Sequence, residues 1–246
     1  MSFPGPNYNS PPPTGNFALL NSVTRTWNTT NSDFAPSNPS LQDDEFDGSY
    51  LDGKWIWTNY AQLTSWAMNS TAYPSQFEMV MSNPGGRLLT GIMQALPVGD
   101  FTFIIKGNQT SVANNTIILC LADGVTVGAG NQFCWMWSVA NNSVYLYAWT
   151  NYNTLGCTPA YGAPGTAINY LRISRAGSTY YYYYSADGKI WTLYYSSASY
   201  PAFTPTHFGI QTNNYGGSAN TTVDYFRYYN TANPNLGSYQ IVPSIQ

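Results

Sequence analysis

Charged side chains are scarce in this 246-residue chain. Asp, Glu, Lys and Arg make up 8% of it, against about a quarter of an average soluble domain. Uncharged polar residues, chiefly Asn, Ser, Thr and Tyr, must therefore cover most of the surface. The eight Lys and Arg residues are scattered and the net charge is -3. Because phosphate binding needs clustered basic residues, nucleic acid is not an expected partner.

Cysteine is sparse too, and helical periodicity is almost missing. Cys120, Cys134 and Cys157 are odd in number and lack the Cys-x-x-Cys spacing of zinc sites, so we expect buried free thiols. A disulfide between Cys120 and Cys134, across neighbouring strands, is the alternative. A short helical turn within residues 62–69 is the one helical element that the pattern allows.

The first 40 residues are rich in Pro, Gly and Asn and show no regular period. They contain neither the charged start nor the apolar run of a signal peptide, and no membrane anchor. We therefore expect synthesis in the cytoplasm of a host cell and no membrane insertion. Residues 1–40 are predicted to form an extended arm that contacts other subunits, and residues 231–246 a C-terminal tail.

Short strand-forming runs alternate with turn signals between residues 41 and 230. The clearest is YLRISRAGSTYYYYYSADGKIW, residues 170–191, in which five tyrosines run into an Asp-Gly hairpin dipeptide. In a strand, Tyr181 and Tyr183 face one side, whereas Tyr180, Tyr182 and Tyr184 face the other. The pattern predicts an all-β protein of two packed antiparallel sheets.

Aromatic residues supply the candidate binding chemistry. They alternate along two further predicted strands, where the rings either stack on a sugar or fill the core between the sheets. Together with two tyrosines of the hairpin, the candidate carbohydrate-binding residues are Trp135, Trp137, Tyr145, Tyr147, Trp149, Tyr181 and Tyr183.

Several segments resemble the concanavalin A-like lectin and glucanase sandwich, especially its laminin-G-like modules. They are DDEFDGSYLDGKWIW (residues 43–57), the tyrosine hairpin, FGIQTNN (residues 208–214) and VDYFRYY (residues 223–229). The resemblance implies a two-sheet antiparallel jelly-roll sandwich over residues 41–230. It also implies that Tyr180, Tyr182 and Tyr184 lie between the sheets, with Tyr181 and Tyr183 on an outer surface.

Acidic residues are too few for the chemistry of the glucanases that share this fold. Glycoside hydrolysis needs two carboxylates that flank the scissile bond, but Glu45 and Glu78 are the only glutamates and no E-x-D-x-x-E strand occurs. The prediction is a protein that is not an enzyme. A pair drawn from Asp43, Asp44, Asp47, Asp52 and Asp224 remains the alternative.

The acidic segment that begins at Asp43 has a second use. Asp43, Asp44 and Asp47 carry hard oxygen ligands, and laminin-G-like sandwiches often hold calcium near such an edge. The alternative is a solvated, turn-forming entry to a strand. No other cofactor is expected.

Two functions fit these features. One is a structural, decoration or fibre protein of a bacteriophage virion. Such a protein would display a lectin-like sandwich outward, bind virion neighbours through residues 1–40, form a homo-oligomer and contact host-surface glycans. The other is a separate carbohydrate-binding module or adhesin without catalysis.

Overall fold

The structure, a computed structural model, describes residues 40–81, 89–108, 116–126, 130–138, 142–150, 154–164, 167–213, 219–231 and 239–241. The predicted arm lies outside the described residues except for Ser40, and most of the predicted tail does too. Among the described residues, no helix is long and apolar enough to cross a membrane.

One of the two sheets has seven strands, each antiparallel to its neighbours. Their order across the sheet is β1 (Ile56–Thr58), β4 (Leu89–Ala95), β13 (His207–Asn213), β6 (Thr116–Ala122), β7 (Gln132–Ser138), β8 (Ser143–Thr150) and β9 (Thr154–Gly162).

The other sheet has eight strands, antiparallel except at one edge, where β15 runs parallel to β12. Their order is β15 (Tyr239–Ile241), β12 (Trp191–Ser197), β11 (Thr179–Ser185), β10 (Tyr170–Ala176), β5 (Phe101–Asn108), β14 (Ala219–Tyr229), β3 (Phe77–Met81) and β2 (Leu63–Met68). The helical turn predicted within residues 62–69 is wrong for most of its length, since a 3-10 turn covers only Tyr60–Gln62 and β2 follows.

The core lies between the sheets and is built largely from aromatic rings. Phe103 of β5, Phe208 of β13 and Phe226 of β14 pack with ring centroids 5.1 to 6.1 Å apart. Alternation along each strand sends every second side chain into this layer. The fold is thus the predicted two-sheet antiparallel sandwich.

The tyrosine run follows that alternation. Tyr180, Tyr182 and Tyr184 of β11 lie in the core, while Tyr181 and Tyr183 lie on the outer face of the eight-stranded sheet. The hairpin that follows β11 is closed by Asp187, whose carboxylate accepts hydrogen bonds from the backbone N–H groups of Lys189 and Ile190. These bonds lower the pKa of Asp187, although its own partial desolvation opposes them.

Candidate functional site

Charge is divided unequally between the two sheets. The strands of the seven-stranded sheet contain no Asp, Glu, Lys or Arg. The charged residues of the described strands all belong to the eight-stranded sheet, for example Lys106, Arg172 and Arg227. A ligand on the outer face of the seven-stranded sheet therefore meets only neutral strand side chains.

Strand β7 shows how the sequence builds that outer face. Phe133, Trp135 and Trp137 point into the core. The alternate positions point outward, and they are occupied by Gln132, Cys134 and Met136. Because β8 pairs with β7 in register, its own alternate residues continue the same face.

Four aromatic side chains form a ladder on this outer face of β8 and β9; they are Tyr161, Tyr145, Tyr147 and Trp149. The Tyr145 ring stacks on Tyr161 at a centroid distance of 5.5 Å and on Tyr147 at 5.4 Å, with interplanar angles of 20° and 10°. Trp149 meets Tyr147 edge-on at 6.4 Å. Tyr161 is 70% exposed and Trp149 is buried, so the ladder runs from solvent into the protein.

Two polar groups lie at the buried end of the ladder. Gln132 is directly opposite Trp149 in the pairing of β7 with β8. The side-chain amide of Gln132 and the indole N–H of Trp149 are buried, and neither has a hydrogen-bond partner among the described residues. Buried polar groups are costly unless they are paired, so these atoms have hydrogen-bonding capacity that a ligand or water could use.

The predicted carbohydrate-binding residues do not form one site. Trp135 and Trp137 are fully buried in the core, and the Trp135 indole donates a 2.9 Å hydrogen bond to the Tyr183 carbonyl of the opposite sheet. Their predicted role in ligand stacking is therefore incompatible with the structure, because alternation turns them inward. Tyr145, Tyr147 and Trp149 lie together on the outer face of the seven-stranded sheet.

Tyr181 and Tyr183 lie on the outer face of the other sheet. Their rings stack at 6.4 Å, and the Arg172 guanidinium lies 4.5 Å from the Tyr183 ring and 5.6 Å from the Trp191 ring. Arg172 and Tyr183 are largely buried. Cation–π contacts thus tie Tyr183 and Trp191 to Arg172, and this group is separate from the aromatic ladder.

The same outer face carries a buried acidic and basic cluster near β14. Glu45 forms an ion pair with Arg227, and Lys106 forms one with Asp224 at 2.7 Å. Burial raises the pKa of Glu45 to about 7, because the loss of hydration outweighs the attraction of Arg227. Burial likewise raises the pKa of Asp43.

Two of the three carboxylates predicted to bind calcium, those of Asp43 and Asp44, make hydrogen bonds within the fold, whereas Asp47 is exposed. Asp43 accepts from the backbone N–H groups of Tyr228 and Ser40, and Asp44 accepts from the Trp55 indole. These bonds fasten the segment before β1 to β14 and the core. Within the described part of the chain, no three His, Cys, Asp or Glu side chains converge as a metal-binding group.

Two residues of the site were not among the sequence-predicted candidates. Tyr161 lies in a Gly-, Ala- and Pro-rich run with no alternation, and only its pairing with Tyr145 brings it into the ladder. Gln132 precedes an apolar run and has no neighbouring motif. Its position in the strand could have identified it, because Gln132 is two residues from Cys134 and therefore lies on the face opposite Trp135.

Solved structures share this fold. A GH43 protein from Bacillus licheniformis has 16% identity and a TM-score of 0.54, and the match covers 78% of this chain and 41% of that protein. A xylan beta-1,4-xylosidase from Bacillus halodurans has 14% identity and a TM-score of 0.52, over 78% of this chain and 40% of its own. A Bacillus licheniformis beta-glucanase has 10% identity and a TM-score of 0.50, and the match covers 78% of this chain and 99% of the glucanase. The chain therefore spans less than half the length of the first two.

Neither protein-family models nor curated protein sequences give a match to the chain. The prediction that the protein is not an enzyme is contradicted by the structural comparison, because the similar structures include glycoside hydrolases. We withdraw that prediction. At identities of 10 to 16% the likeness shows the fold, and the chain has the concanavalin A-like sandwich that its sequence resembles.

Proposed function

We propose that the protein binds a neutral carbohydrate along the aromatic ladder of β8 and β9. The observation that carries this proposal is the stack of Tyr161, Tyr145 and Tyr147 on a sheet whose strands have no charged residue. Sugar rings pack against aromatic surfaces, and amide and indole groups supply directional hydrogen bonds. Gln132 and Trp149 hold such groups at the buried end.

The similar structures support the same class of ligand. Their names, a xylan beta-1,4-xylosidase and a beta-glucanase, identify proteins that act on polysaccharides of neutral sugars. Xylo-oligosaccharides and β-gluco-oligosaccharides are therefore the first probes to use.

Calorimetric titration of the full chain with these oligosaccharides tests the proposal. Tyr161→Ala and Tyr147→Ala should each weaken binding by about 1–2 kcal/mol, roughly five- to thirty-fold, because each loses one stacking ring. Tyr181→Ala is the matched control, since it removes a partly exposed tyrosine from the other sheet. Equal losses in Tyr181→Ala and Tyr161→Ala, or no binding by the unaltered chain, would contradict the proposal.

The same mixtures report on catalysis. Release of new reducing ends during incubation would show hydrolysis, and Glu45→Gln and Asp224→Asn would then test the buried acidic cluster of the eight-stranded sheet as its source. Loss of turnover with retained binding would assign the chemistry to that cluster and the binding to the ladder.

Display on a bacteriophage virion stays a prediction from the composition and from residues 1–40. A homo-oligomer held through those residues is part of it, and so is contact with host-surface glycans. The assembly state tests this prediction. Mass photometry of the full chain and of a chain that starts at Ser40 would show whether residues 1–39 hold subunits together.

A further inference from the structure

Three sulfur atoms from three strands meet on the outer face of the seven-stranded sheet. Cys120 of β6 is directly opposite Cys134 of β7, so their side chains are neighbours on this face, and the Cys134 Sγ atom lies 3.9 Å from the Oε1 atom of Gln211. The Sγ atom of Cys120 lies 3.4 Å from the Sδ atom of Met93 in β4. All three side chains are fully buried.

Gly209 makes the contact between Met93 and Cys120 possible. Strand β13 lies between β4 and β6, and Gly209 is the register partner of Met93 on one side and of Cys120 on the other. A Cβ atom at this glycine would lie 2.7 Å from the Met93 sulfur. The missing side chain leaves a gap through which the thioether reaches across β13 to the thiol.

The surroundings of the sulfur atoms disfavour an isolated thiolate. No Asp, Glu, Lys or Arg lies on the strands of this sheet, so an ionised thiolate would have no opposite charge beside it. Burial accordingly raises the pKa of Cys134. A bound positive ion would remove this penalty, and thiolate and thioether sulfur select soft ions such as Cu⁺ over Mg²⁺ or Ca²⁺.

We propose that Cys120, Cys134 and Met93 form a binding site for a soft monovalent metal ion of the Cu⁺ or Ag⁺ class. The ion bonds to one thiolate and to the thioether, and the sulfur of the second, protonated cysteine is a weaker third donor. One thiol proton leaves to solvent for each ion bound, so the site gains no net charge and no electron is transferred. Metal–sulfur bonds of about 2.3 Å place the ligands of a trigonal site roughly 4 Å apart. The sulfur atoms of Met93 and Cys120 must then separate by about half an ångström.

The aromatic ladder borders this site. Tyr147 is the register partner of Cys134 and is half-buried, and it is also the ring on which Tyr145 stacks. Tyr147 is also among the partly buried residues that pack against the cluster holding Cys134. The metal site and the carbohydrate site are therefore neighbours that adjoin at Tyr147, but neither requires the other.

Anaerobic titration with Cu⁺ against a chromophoric Cu⁺ chelator tests the proposal. The chain should carry Cys157→Ser, because Cys157 is an exposed thiol that would bind Cu⁺ by itself. We expect one tightly held ion and one released proton per chain. Met93→Leu should weaken binding at least tenfold and Cys120→Ser at least a hundredfold. Met79→Leu, which changes a methionine in the core between the sheets, should leave binding unchanged.

Circular dichroism checks the fold of each variant, and Met93→Leu keeps the test decisive if Cys120→Ser does not fold. The proposal is overturned if the Cys157→Ser chain takes up no Cu⁺, or if Met93→Leu and Met79→Leu bind equally well. It is also overturned if the purified chain is 2 Da lighter than the reduced mass and takes up no ion after reduction. That result would show a pair that serves only as a Cys120–Cys134 disulfide.

Discussion

Gln132 and Trp149 are opposite each other on β7 and β8, and both have buried polar atoms without a partner in the described part of the chain. Replacing Gln132 by Leu should therefore raise the free energy of unfolding by about 1–2 kcal/mol. The same change should weaken carbohydrate binding at least tenfold, because it removes a hydrogen-bonding group from the ladder. Urea unfolding and calorimetric titration measure the two effects.

Gln94 provides the control for that substitution. It is equally buried, but its amide donates a 3.0 Å hydrogen bond to the Gln42 carbonyl. Gln94→Leu should therefore lower stability and leave sugar affinity unchanged. If Gln132→Leu also lowered stability, the Gln132 amide would have a structural partner and the proposed site would lose its polar end.

Tyr182 offers a second test of an unpaired buried group. Its hydroxyl is buried in the core without a hydrogen-bond partner among the described residues, and burial raises its pKa well above that of an ordinary tyrosine. Tyr182→Phe removes only that hydroxyl, so stability should stay equal or rise by about 1 kcal/mol. Tyr182→Ala should lose about 3–5 kcal/mol, since it leaves a cavity. Thermal unfolding of the two variants checks the prediction. Tyr182→Phe should be no less stable than the unaltered chain.

Glu45 should make the stability of the fold depend on pH. Its pKa is about 7 in the folded protein, against 4.5 for an ordinary glutamate. Between pH 4.5 and 7 the unfolded chain releases this proton while the folded chain keeps it, so the free energy of unfolding falls as the pH rises through that window. Below pH 4.5 both states hold the proton, so the free energy of unfolding no longer changes with pH because of Glu45.

Glu45→Gln has no proton to release and should remove that part of the pH dependence. Chemical unfolding at pH 4.5, 5.5, 6.5 and 7.5 measures the slope in both proteins. Arg227 keeps the Phe226 carbonyl and the Tyr225 ring as partners in the variant. Identical slopes would show that Glu45 has an ordinary pKa and that Arg227 compensates fully for its burial.

Carbohydrate affinity should hardly change with salt. The strands that carry the ladder have no charged residue, so ions have no pair to screen at the binding face. Dissociation constants measured at 50 mM and 500 mM NaCl should agree within a factor of two. A tenfold difference would place the ligand on the eight-stranded sheet instead, where Arg172, Arg227 and Lys106 lie.

The sequence was most informative where both periodicity and a turn signal were present. The hairpin of β10 and β11 has both. Its alternation separated Tyr180, Tyr182 and Tyr184 from Tyr181 and Tyr183, and the family resemblance predicted correctly that the first three enter the core. Strand β7 has alternation, but no residue type in it indicates which face is turned away from the core. Trp135 and Cys134 are both fully buried, one inside the sandwich and one outside it, so hydrophobicity could not tell the two faces apart.

Long-range pairing was the other missing information. Tyr161 joins Tyr145 through the register of β8 with β9, and Met93 joins Cys120 across a whole intervening strand. Asp43 and Asp44 were recognised as an acidic cluster, but their backbone and indole partners come from Tyr228 and Trp55. Such contacts depend on the topology of the two sheets, which a local pattern of residue types does not specify.

The uneven division of charge also determines how the protein can be handled. All three lysines of the chain, Lys54, Lys106 and Lys189, lie outside the seven-stranded sheet. Amine coupling to a sensor chip, or labelling with an amine-reactive dye, would therefore spare its strands. A chip prepared in this way should present the tyrosine ladder to the solution with its rings chemically unaltered.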